Sequence, residues 1–123
     1  MFYNIKGNLM SDTITKPLRA TVQGAREEPL PPGRLSALLM KHGSMELRWY
    51  TPRSSDQQTP HDQDELYVIN KGTGQFLAGR RSTPFGPGDV LFVPAGETHR
   101  FENFSDDLEL WVIFWGQVGG EKS

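Results

Sequence analysis

At 123 residues the chain makes one domain that hides roughly two-thirds of its unfolded surface, enough for a core without covalent staples. It has no cysteine, which excludes disulfides and thiolate metal sites and leaves imidazole, carboxylate or amide oxygen for any metal. A net charge of -2 supplies no basic field for nucleic acid, and no apolar run nears the roughly 20 residues that span a bilayer, so neither partner is expected.

Residues 1–7 lack the basic start and apolar stretch of a secretory signal, so a cytoplasmic location is expected. Residues 1–33 read as an extended N-terminal arm. They lack sustained periodicity, and Pro29, Pro31, Pro32 and Gly33 oppose both helix and ladder. Residues 34–118 form the predicted barrel domain and 119–123 a tail. The stretch Arg34 to His42 fits two elements. Leu35, Leu38 and Leu39 recur at helical spacing, with Gly43 as a stop, yet the same letters suit one arm of a hairpin turning at His42 and Gly43. The short helix is the preferred reading, with His42 a turn or helix-end residue and no ligand.

From residue 44 the pattern is β. Met45, Leu47 and Trp49 alternate with Glu46, Arg48 and Tyr50, and a polar loop follows from Thr51 to Thr59. Further strands are expected at Glu65 to Asn70, Gln75 to Ala78, Val90 to Val93, Arg100 to Phe104 and Leu108 to Trp115. Turns fall at Asn70 to Gly74, Gly79 to Ser82 and Phe85 to Gly88. The last strand is apolar on both faces, which predicts a sheet on one side and a second subunit or the arm on the other. That strand and the Pro-rich arm both need cover, so a homodimer is expected. Short strands at this density point to an all-β sandwich or barrel of jelly-roll type.

Two segments carry chemistry. Gly88, Pro94, Gly96, His99 and Asn103 fill every position of G-x5-P-x-G-x2-H-x3-N, and His61, Glu65 and Gly72 fill most of H-x-H-x3-4-E-x6-G. These are the two motifs of the cupin superfamily, which the chain resembles over residues 59–103, a little over a third of its length. The resemblance implies a double-stranded β-helix barrel holding one divalent ion. One position departs from the pattern, because Thr59 stands where the first histidine would fall. A neutral hydroxyl is a poor ligand beside imidazole and carboxylate. His61, Glu65 and His99 remain, a two-histidine, one-carboxylate set with open coordination positions of the kind used by non-heme iron oxygenases. Gln57 or Gln58 is either a fourth, weaker oxygen donor or an ordinary loop glutamine.

Around these ligands Tyr67 is the catalytic candidate, as a hydrogen-bond donor. Tyr67, Phe101, Phe76 and Trp111 either wall a pocket or fill the core. Asp62 and Asp64 are expected in a loop, exposed or else supporting the histidines from behind, Glu97 at the rim, and Asn103 securing a neighbouring turn or strand end by hydrogen bonding. Iron, manganese, zinc, nickel and cobalt all suit such donors. The primary reading is a metal-dependent oxygenase acting on a small organic molecule. The alternatives are a non-catalytic module that binds metal and a small ligand, and a metal-independent sugar-type isomerase.

Overall fold

A computed structural model describes residues 17–122 as two antiparallel sheets preceded by one short helix, the jelly-roll architecture expected from the motifs. The eight strands are β1 (Ser36–His42), β2 (Met45–Tyr50), β3 (Asp64–Lys71), β4 (Gly74–Ala78), β5 (Arg81–Phe85), β6 (Val90–Val93), β7 (His99–Glu102) and β8 (Glu109–Trp115). The larger sheet runs β1-β2-β8-β3-β6 and the smaller β5-β4-β7. Between them lies a core built on Tyr67, Ile69, Phe76, Phe101, Leu110 and Val112. Each such side chain taken out of water contributes about 1.5–3 kcal/mol. No described helix is long and apolar enough to cross a membrane.

The helix expected within Arg34 to His42 is a strand. β1 turns at Gly43 into β2, with Ala37 opposite Trp49 and His42 opposite Met45. The register shifts between Leu38 and Met40. A bulge there breaks the period of two and sets Leu38, Leu39 and Met40 in a row, which imitates helical spacing in so short a window. The one described helix, α1 (Val22–Glu27), lies instead inside the predicted arm, whose residues 1–16 fall outside the described part of the chain. Thr21 caps it by accepting from Gly24 N at 3.0 Å. Ala25 is buried, and Arg26 Nε donates to Glu109 Oε2 at 3.1 Å, so the arm docks on its own sheet.

Two further expectations change. Residues read as a turn from Gly79 to Ser82 narrow to Gly79 and Arg80, and β5 runs through Pro84. That strand is at an edge of the small sheet, where a proline costs no ladder bond. Asp64 is buried at 5% exposure and caps two backbone N–H groups, those of Ala95 and Glu121, at 2.9 and 2.8 Å. The alternation in β2 is present, but its polar side faces inward. Arg48 pairs with Val112 and Tyr50 with Leu110, while Leu47 and Trp49 pair with Ile113 and Trp111 on the outer face. β8 accordingly buries Leu110 and Val112 and leaves Trp111, Ile113 and Trp115 half-buried.

Gly72 closes the turn between β3 and β4 at φ +103, and a Cβ there would stand 2.7 Å from Leu108 Cα. Gly72→Ala is expected to cost roughly 2 kcal/mol or more, from backbone strain and a backbone clash together. Urea denaturation of the variant beside wild type measures it, and an unchanged midpoint would contradict the steric account. Asn103 adopts φ +50, a left-handed conformation that asparagine tolerates well. It is exposed, and its side chain makes no hydrogen bond among the described residues, so it serves the turn through its backbone rather than its amide.

Candidate metal centre

The turn before β7 and the loop before β3 meet at one end of the barrel. Gly96 N donates to His61 O at 2.7 Å, a backbone bond that ties the two sequence motifs together. Glu65, second in β3, points inward from the large sheet, and His99, first in β7, faces it from the small one. One donor atom from each of His61, Glu65 and His99 lies within 4.8 Å of the others, a group that could hold a metal ion. Glu65 is 1% and His99 4% exposed, while His61 is half-buried at the mouth.

Hydrogen-bond logic makes this cluster unusual. His99 Nδ1 lies 2.8 Å from the Glu97 carbonyl, which only accepts, so Nδ1 carries the proton. A neutral ring then turns the Nε2 lone pair toward Glu65 Oε1, 3.0 Å away. Two acceptors face one another in a dry interior. Accordingly Glu65 Oε1, Glu65 Oε2 and His99 Nε2 are all buried with no hydrogen-bond partner among the described residues. Native interiors rarely leave such atoms orphaned. Either a proton or a cation must occupy the gap. Burial opposes charge on His99, but Glu65 and the Glu97 carbonyl outweigh it and hold this imidazole above its ordinary value. Burial holds His61 below its own. A histidine that fixes its tautomer on a backbone carbonyl and aims its other nitrogen at a carboxylate is arranged as metal ligands are.

Of the two glutamines, only Gln58 reaches the centre. Its Nε2 donates to Asp56 Oδ2 at 2.9 Å, and a carboxylate oxygen can only accept there, so the amide oxygen must face the other way. That Oε1 accepts from Tyr67 Oη at 2.9 Å and stands 3.4 Å from His61 Nε2. Gln57 bonds Ser55 Oγ at 2.7 Å on the surface, and Thr59 is exposed. Tyr67 is fully buried, and burial with the nearby Glu65 carboxylate pushes its phenol well up, so it keeps its proton and donates.

Phe76 and Phe101 pack on Tyr67 at ring-centroid distances of 5.5 and 5.0 Å, and Phe114 meets His61 edge-on at 4.9 Å. Trp111, one of the candidate pocket walls, instead lies on the outer face against Trp49. Asp62 is exposed as expected, and Glu97 contributes its carbonyl.

Asp56 escaped the sequence reading, which treated Thr51 to Thr59 as a polar loop. Its carboxylate accepts from Tyr50 Oη, Gln58 N, Gln58 Nε2 and Phe101 N. No motif marks it; an acidic residue two places before a candidate ligand was the only available signal.

A family model described as a cupin domain matches residues 49–115. An uncharacterized protein of Streptomyces coelicolor is 39% identical over 61 residues, which cover 50% of this chain and 58% of that relative, under two-thirds of its length. Among solved structures, a cupin 2 conserved barrel protein from Salinispora arenicola has 22% identity, a TM-score of 0.56, and coverage of 72% of this chain and 87% of that one. A predicted oxalate decarboxylase from Thermotoga maritima has 27% identity and a TM-score of 0.54, with 67% and 79% covered. KdgF from Halomonas sp. has 12% identity and a TM-score of 0.58, with 67% and 77% covered.

Proposed function

This chain belongs to the cupin family, and from that premise we propose a metal-dependent cupin that oxidises a small organic molecule at a centre held by His61, Glu65 and His99. Gln58 Oε1 completes the donor set in place of the histidine absent at Thr59. The observation that carries this reading is the unpartnered pair of buried acceptors, Glu65 Oε1 and His99 Nε2. A bound divalent ion would supply Lewis acidity and open positions for substrate and dioxygen.

The chain's own residues do the rest. Glu97 O fixes the His99 tautomer, and Asp56 fixes which end of the Gln58 amide faces inward. Tyr67 retains its proton at Oη, oriented on Gln58 Oε1, and serves as a hydrogen-bond donor beside the ligands. Phe76, Phe101 and Phe114 keep bulk water from the inner wall.

Oxygen uptake with Fe(II) across a panel of phenols, diketones and thiol acids tests the reading. Uptake that requires iron and disappears in His99→Ala is the expected result. Metal and ligand binding without uptake would replace it with a non-catalytic binding module. Turnover that survives a chelator would point to metal-free isomerase chemistry. The absence of cysteine suits the reducing cytoplasm as its location.

A homodimer is part of the same proposal. Where α1 does not cover it, the outer face of the large sheet carries Val90 at 57% and Phe92 at 49% exposure beside half-buried Leu66, Trp111 and Ile113. Strand register puts no charged side chain among them, so a charged partner finds no complement there. A two-fold copy presents the same apolar strip to itself. Light scattering coupled to size exclusion should return twice the chain mass, and Phe92→Glu should return the monomer. A wild-type monomer would remove this part.

A further inference from the structure

A cavity of about 310 Å³ opens beside the candidate metal centre. Its inner end is formed by His61 and Gln58, its apolar walls include Val112 and Phe114, and Arg34 and Arg48 complete its lining. Among the described residues no carboxylate lines it. We propose that this cavity receives an organic acid, its carboxylate on the Arg48 guanidinium and its apolar body along Val112 and Phe114, with its other end at the metal centre. The proposal rests on the functional reading above and names the substrate class for that site.

Arg48 carries the argument. It sits on the inward face of β2, opposite Val112, where an aliphatic side chain would satisfy packing. Its side chain is only 11% exposed. Part of its hydrogen-bonding capacity is used: Nε donates to Glu46 Oε1 at 2.8 Å, and Nη1 to Ser36 O at 3.1 Å. These bonds lock the guanidinium plane. Nη2 makes no hydrogen bond among the described residues. Burying an arginine whose donors are incompletely matched is costly unless a ligand completes the set. Carboxylates do so well, because they accept from a guanidinium in charge-assisted bonds.

Glu46 offsets part of the Arg48 charge at 2.8 Å, but Lys41 Nζ shares the same carboxylate at 3.4 Å, so the three side chains together stay net positive. Arg34 lies exposed on the rim, and its side chain makes no hydrogen bond among the described residues. Exposed Arg34 and the net positive group around Arg48, with no carboxylate in the lining among the described residues, bias the cavity toward anions. The apolar walls then favour acids with a hydrocarbon body over inorganic anions, and the volume suits a compact molecule.

Isothermal titration of the full chain, chelator-treated and zinc-loaded, with benzoate, cyclohexanecarboxylate and pyruvate against their neutral amides tests this. At least one acid should bind more tightly than its amide by about tenfold or more. Arg48→Met should abolish that preference, Arg48→Lys should retain part of it, and Arg34→Met should weaken it modestly. Acid and amide binding alike for every pair, or no acid binding at all, overturns the proposal. So does an acid preference untouched in Arg48→Lys and Arg34→Met should Arg48→Met fail to fold. Arginine-dependent acid binding in a protein that takes up no metal would sink the metal reading and leave this one standing. Metal uptake without acid preference would do the reverse.

Discussion

Replacing Glu65 with glutamine is expected to move the protein's stability in opposite directions depending on whether metal is present. Wild-type protein should bind about one divalent ion per chain and melt at higher temperature when loaded. Binding only the folded state adds roughly 4 kcal/mol when free metal is a thousandfold above its Kd. Glu65→Gln should lose most of that gain. In chelator at mildly alkaline pH the variant should instead match or exceed wild type by about 1 kcal/mol. The reason is local. Glu65 Oε1 and the His99 Nε2 lone pair stand 3.0 Å apart, both acceptors, and a glutamine amide can donate to that nitrogen where a carboxylate cannot. A residue with a purely structural role would lower both melting temperatures. His99→Ala and His61→Ala should each weaken metal binding by more than the roughly 10–100-fold typical of outer-sphere changes. Calorimetry with and without chelator, paired with elemental analysis, reads both effects. Metal gain undiminished in Glu65→Gln would exclude this centre.

Removing the Asp56 carboxylate should be the most damaging change outside the ligands. Asp56→Ala strips partners from the buried Tyr50 hydroxyl and the Phe101 N–H and frees the Gln58 amide. Each polar group left unsatisfied costs about 1–3 kcal/mol, so a loss of roughly 3 kcal/mol or more is expected in urea denaturation. Metal affinity should also fall by about tenfold or more, because nothing then fixes which end of Gln58 faces His61. Gln58→Leu should reproduce the affinity loss with less damage to stability. Thr59→Ala, at an exposed position, should change neither. If Thr59→Ala weakened metal binding and Gln58→Leu did not, the assignment of the fourth donor would be reversed.

How legible these features were depended on where their physical causes lie along the chain. The cluster of His61, Glu65 and His99 was readable because each motif is local. The turn at Pro94 to Gly96 and the short reach from His61 to Glu65 set backbone geometry within a few residues. The hairpin from β1 to β2 was less so, since the bulge at Leu39 is fixed by pairing with a neighbouring strand. The arm hid a helix of six residues, too short to be stable without the Arg26 contact to Glu109.

By itself the amino-acid sequence determined the all-β class and the barrel-type architecture, and it singled out His61, Glu65 and His99 as a group that the fold gathers together. Only tertiary structure decided that Gln58 rather than Gln57 reaches the centre, that Asp56 holds it there, and that Arg48 turns inward. Those outcomes depend on which face of a strand meets the opposing sheet and on hydrogen bonds spanning up to 45 positions, as from Phe101 N to Asp56. Local periodicity records where side chains alternate. It does not record which distant acceptor waits on the other side of the barrel.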